Sequence, residues 1–340
     1  MLNILSNIYG FFIDKRNRNF DNKRNSIIEI SKPVISVGNI SVGGTGKTPF
    51  VQMLAAGLQS RGNKPAIIGG GYKRKTKGKL IISDGGFIFS NANECGDEMY
   101  LLAKNLNVPV IVHDKKYLAA LVADEKFDID VVIVDDGFQH RKLKRNIDIV
   151  IIDNKTIENS KLIPAGVLRE PLNNISRANI IALNEDVDNK ILMPYLTSNH
   201  VVIKVKSVPG KIYDLNSGNE ISIEEFENIK KGSLAFSGIA NPVRFIDSLT
   251  QLDIKIIKHI KYADHHKYSN NDIRKIINQC VNLSINKIIT TEKDAVKLDF
   301  AKGIFIKNNI SCYVLPVRTE IIEGEDSFWN YVMDVLDKSK

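Results

Sequence analysis

The sequence predicts an α/β protein: a mostly parallel sheet covered by helices, followed by a second, smaller α/β domain. Three observations carry this. Short β-branched runs alternate with longer amphipathic or polar stretches over residues 33–183. The first of these runs passes directly into a glycine-rich turn and then a helix. A polar stretch at 184–200 and a Pro209-Gly210 turn then separate this pattern from a second set of strand-like runs.

Composition narrows the class. At 340 residues the chain has the length of about two domains. With 43% hydrophobic and 25% charged residues it is neither disordered, collagenous, coiled-coil nor a polytopic membrane protein. The net charge of +8 favours an anionic partner, whether nucleotide, nucleic acid or acidic membrane, without choosing among them. Cys95, Cys280 and Cys312 are odd in number and scattered, which supports neither a disulfide framework nor a cysteine metal site and suits a reducing, cytoplasmic setting.

Taken in order, the apolar start at residues 1–13 is interrupted by Asn3, Ser6 and Asn7, and reads as neither signal peptide nor membrane span. On a helix Leu2, Leu5, Tyr9, Phe12 and Ile13 share one face, and Lys15, Arg16 and Arg18 follow. An interfacial helix and a helix packed on its own domain both fit that pattern. Strands are expected at 33–37, 65–68, 108–112, 130–134, 147–152 and 179–183, with helices at 49–60, 97–105 and 116–124. After the alternating run 201–205 we place a domain boundary near Lys206, giving domains 1–205 and 206–340. The second domain carries expected strands at 233–236, 254–257, 287–290 and 311–315, and helices at 242–252 and 271–282.

The strongest chemical signal is Gly43-Gly44-Thr45-Gly46-Lys47-Thr48 after the first strand, with Pro49 suited to the first turn of a helix. Glycines allow successive N–H groups to face one phosphate-sized hollow, and a helix N-terminus adds positive potential. Lys47 reaches terminal phosphates and Thr48 offers a hydroxyl to Mg²⁺. The domain is therefore of the P-loop NTPase type, although Ser41 stands where the strict pattern has glycine. Val42 replaces the extra lysine of partitioning-type ATPases, and neither an Asn-Lys-x-Asp nor a Leu-Ser-Gly-Gly segment occurs, so ATP is the expected nucleotide.

Asp135 and Asp136 end a buried strand, where an Mg²⁺-holding carboxylate belongs. Asp97 and Glu98 open a helix, a place that the helix dipole alone explains. Asp264-His265-His266 follows a strand and fits surface residues, part of a metal site, or a histidine–carboxylate pair that moves a proton.

The ordered set Gly38-Asn-Ile-Ser-Val-Gly-Gly-Thr-Gly-Lys-Thr-Pro49, Gly96-Asp-Glu98, Asp135-Asp-Gly-Phe-Gln-His-Arg141, Pro164-Ala-Gly-Val-Leu-Arg-Glu-Pro171, Gly238-Ile-Ala-Asn-Pro242, Asp264-His-His266 and Thr291-Glu-Lys-Asp-Ala-Val-Lys-Leu298 resembles the tetraacyldisaccharide 4′-kinase family. The resemblance spans nearly the whole chain. It implies transfer of phosphate from ATP to the 4′-hydroxyl of a tetraacylated glucosamine disaccharide 1-phosphate in lipid A synthesis, peripherally at the cytoplasmic face of an inner membrane. It implies that Gly43, Gly44, Thr45, Gly46, Lys47 and Thr48 hold phosphate, and that Thr48, Asp135, Asp136 and Glu98 serve Mg²⁺. Asp97 is then the base and His265 its partner. Two departures stand out: Gly69-Gly70-Gly71-Tyr72 replaces a Ser-Arg-Gly-Tyr segment, beside a basic run at 73–79, and Phe138 replaces an aliphatic residue.

Rival readings are a regulatory P-loop ATPase that switches a protein partner without a phosphorylated product, and a nucleic-acid-associated ATPase. Nucleic-acid binding is disfavoured because the basic run has only Tyr72 as an aromatic neighbour. No obligate protein partner is evident in the sequence.

Overall fold

The computed structural model describes residues 1–22 and 24–339. Its fourteen strands are β1 (Val34–Gly38), β2 (Pro65–Gly69), β3 (Leu80–Asp84), β4 (Pro109–Val112), β5 (Val131–Asp135), β6 (Ile147–Ile152), β7 (Ile180–Asn184), β8 (Val201–Pro209), β9 (Tyr213–Asp214), β10 (Ser233–Ser237), β11 (Ile256–Lys261), β12 (Lys287–Thr291), β13 (Ser311–Leu315) and β14 (Val317–Glu323). They form a nine-stranded sheet, β14-β8-β7-β6-β1-β5-β2-β4-β3, and a five-stranded sheet, β11-β10-β12-β13-β9. Among the described residues the antiparallel pairs are β3–β4, β8–β14 and β9–β13. The expected fold class, a large mostly parallel sheet with a smaller α/β unit, is what the structure shows.

Central strands are apolar because both faces are covered. On one face Ile35 and Val37 of β1 pack with Phe50, Leu54 and Leu58 of helix Lys47–Ser60 and with Phe328 and Val332 of helix Glu325–Asp337. On the other, Val34, Ala66 and Val132 meet Ala119, Ala120 and Ala123 of helix Lys116–Lys126. The small alanines let that helix approach the strands closely. A separate core fills the second unit, where Leu234, Phe236 and Ile288 meet Ile273, Ile276 and Phe305.

The structure corrects the expected division at Lys206. That residue lies inside β8, which completes the large sheet as far as Pro209. β14 then pairs antiparallel with β8, Val317 opposite Pro209, and the helix after it joins the large core. The second unit therefore occupies the chain between Gly210 and Pro316, and the C-terminal segment belongs to the first unit. Edge strand β14 escapes the sequence reading because a strand half-open to water carries the charges that break up an apolar run, as Arg318, Glu320 and Glu323 do here.

Candidate active site

β1 and β5 are direct neighbours, so the phosphate loop and the Asp135-Asp136 turn emerge side by side. Gly46 sits at φ +88° as the cap of helix Lys47–Ser60, a backbone conformation that a side chain would strain. A Cβ on Gly43 or Gly46 would meet nothing within 4 Å, so the loop's surface is open to a ligand. Ser41, in the place of the missing glycine, is buried and accepts a 2.8 Å hydrogen bond from Thr156 Oγ1. Its side chain turns inward and leaves the hollow free. Asn39 Nδ2 donates to Thr45 Oγ1 at 3.0 Å, fixing the loop from beneath. At Gly38 a Cβ would lie 2.6 Å from Cβ of Phe138, so only glycine lets the turn after β5 press against β1.

Lys47 Nζ lies 3.5 Å from Asp136 Oδ1, and Arg169 Nη1 donates to both Asp136 oxygens at 3.1 and 3.0 Å. Burial disfavours the Asp136 charge, but Lys47, Lys116 and Arg169 outweigh it and hold the carboxyl far below the usual range. Asp135 beside it has the opposite balance: burial pushes its carboxyl up to about 6. Its Oδ1 is buried without a hydrogen-bond partner. A buried carboxylate with a free oxygen next to a phosphate hollow fits a divalent cation. Among the described residues no cluster of three or more His, Cys, Asp or Glu side chains could hold a metal by itself. Mg²⁺, the expected cation, takes one or two carboxylates and completes its shell with phosphate and water.

Lys116 was legible in the sequence only as a helix start. It is buried, and its Nζ donates to the carbonyls of Asp135 at 2.8 Å and Asp136 at 2.5 Å, holding the turn in which Asp136 adopts φ +50°. Burial lowers its pKa.

Asp97 and Glu98 open helix Asp97–Asn105, and the second unit reaches them. His265, at φ +60°, places Nδ1 3.2 Å from Asp97 Oδ2 and Nε2 3.5 Å from Glu98 Oε1. Of the three readings of the Asp264-His265-His266 segment, the histidine–carboxylate pair is thus the one whose geometry is present. Lys293 Nζ lies 2.7 Å from Glu98 Oε1, and Lys297 Nζ lies 3.5 Å from Asp97 Oδ2 and 2.9 Å from Asp294 Oδ1. Glu98, expected at the metal, is held by Lys293 and His265 and lies close enough to Asp135 to help raise its pKa. Asp97 is desolvated, yet the His265 hydrogen bond and the Lys297 charge keep its pKa low. Ala240 also overhangs the loop, 3.7 Å from where a Gly44 Cβ would be. His266 turns away to Asp272 at 3.2 Å. In the basic run Arg74 is structural, its Nη2 bound to Gly78 O and Asp114, while Tyr72 packs edge-on to His265.

A model of the family described as tetraacyldisaccharide-1-P 4′-kinase matches residues 1–337. The chain belongs to that family. Its relatives include the tetraacyldisaccharide 4′-kinase of Halothermothrix orenii, 34% identical over 94% of this chain and 88% of that one. Another is that of Chlorobium phaeobacteroides, 35% identical over 94% and 92%. Among solved structures, the crystal structure of an "apo" form of LpxK from Aquifex aeolicus in complex with ATP superposes with a TM-score of 0.79 at 31% identity, covering 98% of this chain and 97% of that one. Membership in the tetraacyldisaccharide 4′-kinase family makes this chain an ATP-binding kinase of lipid A biosynthesis. The regulatory ATPase reading finds no support in these comparisons.

Proposed function

We propose that the chain carries the γ-phosphoryl group of ATP to the 4′-hydroxyl of a tetraacylated glucosamine disaccharide 1-phosphate at the cytoplasmic face of an inner membrane. The observation that carries the mechanism is the Asp97–His265 contact, made between the two units beside the phosphate loop. A sugar hydroxyl is a poor nucleophile at neutral pH, and Asp97 accepts its proton as the bond to phosphorus forms. His265 orients that carboxylate, while Lys297 keeps it ionised. Backbone N–H groups of residues 43–48 and Lys47 take the transferred charge, and Arg169 holds Asp136 in place. Thr48 and Asp135 or Asp136 would hold Mg²⁺, which would supply charge neutralisation at the phosphates. Because His265 and Asp97 come from different units, the base is completed where the two units meet, and a contact that seals their junction also helps to shut water out.

The N-terminal helix supports the membrane assignment. Helix Leu2–Asp21 buries Ser6, Gly10 and Asn17 and leaves Leu2, Ile4, Leu5, Ile8, Phe11 and Phe12 exposed, with Lys15 and Arg18 at its far end. It is docked by its small and polar face and open on its apolar one, the surface that an interfacial helix offers to a membrane. Arg16 turns towards Glu170, 3.6 Å away. No described helix is long and apolar enough to cross a membrane.

The test is incubation with labelled ATP, Mg²⁺ and the acylated disaccharide 1-phosphate. Label in the lipid product is expected, while release of phosphate to water alone, unaffected by the lipid, would overturn the reading.

A further inference from the structure

The N-terminal helix does more than present an apolar face. Residues 161–170 form a strap with the helix on one side and the phosphate loop on the other. On the helix side, Ser6 Oγ donates to Leu162 O at 2.9 Å and accepts from Ala165 N at 3.0 Å. Tyr9 OH donates to Arg169 O at 2.8 Å, and Asn17 Nδ2 donates to Glu170 Oε2 at 2.9 Å. On the loop side, Val42 N donates to Val167 O at 2.8 Å and Arg169 N to Ile40 O at 2.7 Å. The Arg169 side chain then grips Asp136. A second link runs from Arg141, in the segment after Asp136, to Asn17 O at 3.1 Å and Asp21 Oδ1 at 2.6 Å.

Glu170 is the knot of this arrangement. It has no solvent exposure, and besides Asn17 it accepts from Asn174 and Arg177, each at 2.9 Å. A helix that served only to lie on a membrane would need no hydrogen bonds to the backbone beside its own phosphate loop. Here the bonds fall on both sides of Arg169: its carbonyl is held by the helix, its N–H by the loop, its guanidinium by Asp136.

We propose that the N-terminal helix braces the phosphate site, and that Tyr9, Asn17 and Glu170 are positioning residues for phosphoryl transfer. Through the strap they set the place of residues 40–42 and of Arg169 against Asp136. Small displacements in such a site lower the rate steeply, because positioning and charge placement supply most of the catalysis.

The inference rests on the kinase reading and is tested with the full chain on an acylated disaccharide 1-phosphate whose chains are short enough to stay in solution, with no vesicles present. Transfer and basal ATP hydrolysis are both followed. For Tyr9→Phe/Asn17→Ala, which keeps the exposed face intact, kcat should fall about 10-fold while the KM for ATP moves less than about threefold. Glu170→Gln, which preserves shape, should do the same and guards against misfolding of the double variant. A helix acting only as an anchor would leave both rates unchanged on a soluble acceptor. Wild-type kcat in either folded variant, or a loss confined to ATP affinity, overturns the proposal. A wild-type chain that hydrolyses ATP but never labels the acceptor overturns the kinase reading instead, and the variants' hydrolysis rates then judge the brace.

Discussion

Asp97 holds its charge against burial. Desolvation alone would raise its pKa, but the hydrogen bond from His265 and the charges of Lys297 and Lys293 prevail and lower it. A carboxylate tuned this way takes the acceptor's proton late, once the oxygen has begun to bond to phosphorus and has become acidic, in keeping with a loose transition state. Removing His265 leaves burial less opposed, so His265→Ala should move the acid limb of the kcat–pH profile upward. A limb that stays in place would show that another group sets it. Asp97→Ala and His265→Ala should each lower kcat about 10²-fold, and the double variant should be little worse than the worse single. Fully multiplicative losses would separate the two residues. The same sign governs stability: a depressed folded-state pKa contributes stability above the unfolded-state value, lost as the pH falls through the folded one, so this contact weakens only in acid. Lys47→Ala should cost at least ~10²-fold in transfer with the fold retained, checked by circular dichroism and turnover. Lys47, Asp135 and Asp136 were legible because each residue type is demanded by its job at a fixed place in a strand-loop-helix. Lys116 and Lys293 were not, since a lysine that folds back onto carbonyls or a carboxylate has the same sequence appearance as a solvated one.

The elements around the site differ in how openly the sequence announces them. β1, β5 and β6 are largely apolar and almost wholly buried, and their ends were read to within a residue. The N-terminal helix was ambiguous for a physical reason: one face satisfies a neighbour with Ser6, Tyr9 and Asn17 and the other offers Phe11 and Phe12, which are 59% and 62% exposed. Phe11→Ser/Phe12→Ser should abolish binding to anionic vesicles in a sedimentation assay, and removing Lys15 or Arg18 should weaken it by about 1 kcal/mol each, less in high salt. Vesicle binding unaltered by the phenylalanine changes would leave that face without a membrane role. Helix Glu325–Asp337 bears the chain's single tryptophan, which packs so tightly on helix Lys47–Ser60 that a Cβ at Gly57 would come within 2.3 Å of the Trp329 ring. Gly57→Ala should therefore destabilise by roughly 1–3 kcal/mol through overpacking, seen as a lower Tm and altered Trp329 fluorescence.

At the scale of the whole molecule, the large sheet is built from two stretches of chain that lie far apart in sequence. A sequence read in order places a boundary where the pattern changes, and the change after β8 is real, but a return to the first sheet leaves no such mark. Stopping the chain after Leu315 should remove β14 and the helix behind it, exposing Phe50 and Leu54, and ATP binding should be lost although every loop residue remains. Retained nucleotide affinity in that truncation would make the C-terminal segment dispensable to the first unit.

This layout also sets an order of manufacture. As the chain leaves the ribosome, β1 to β8 emerge early, yet the edge of β8 stays bare until β14 has been made. At ordinary elongation rates the intervening residues take roughly 5–20 s to synthesise. Throughout that time a half-built sheet offers unpaired backbone groups to any passing strand, while the inserted unit can already close its own core. The phosphate-binding half is begun before the inserted unit and completed after it, so the newborn enzyme stays silent until helix Glu325–Asp337 is free.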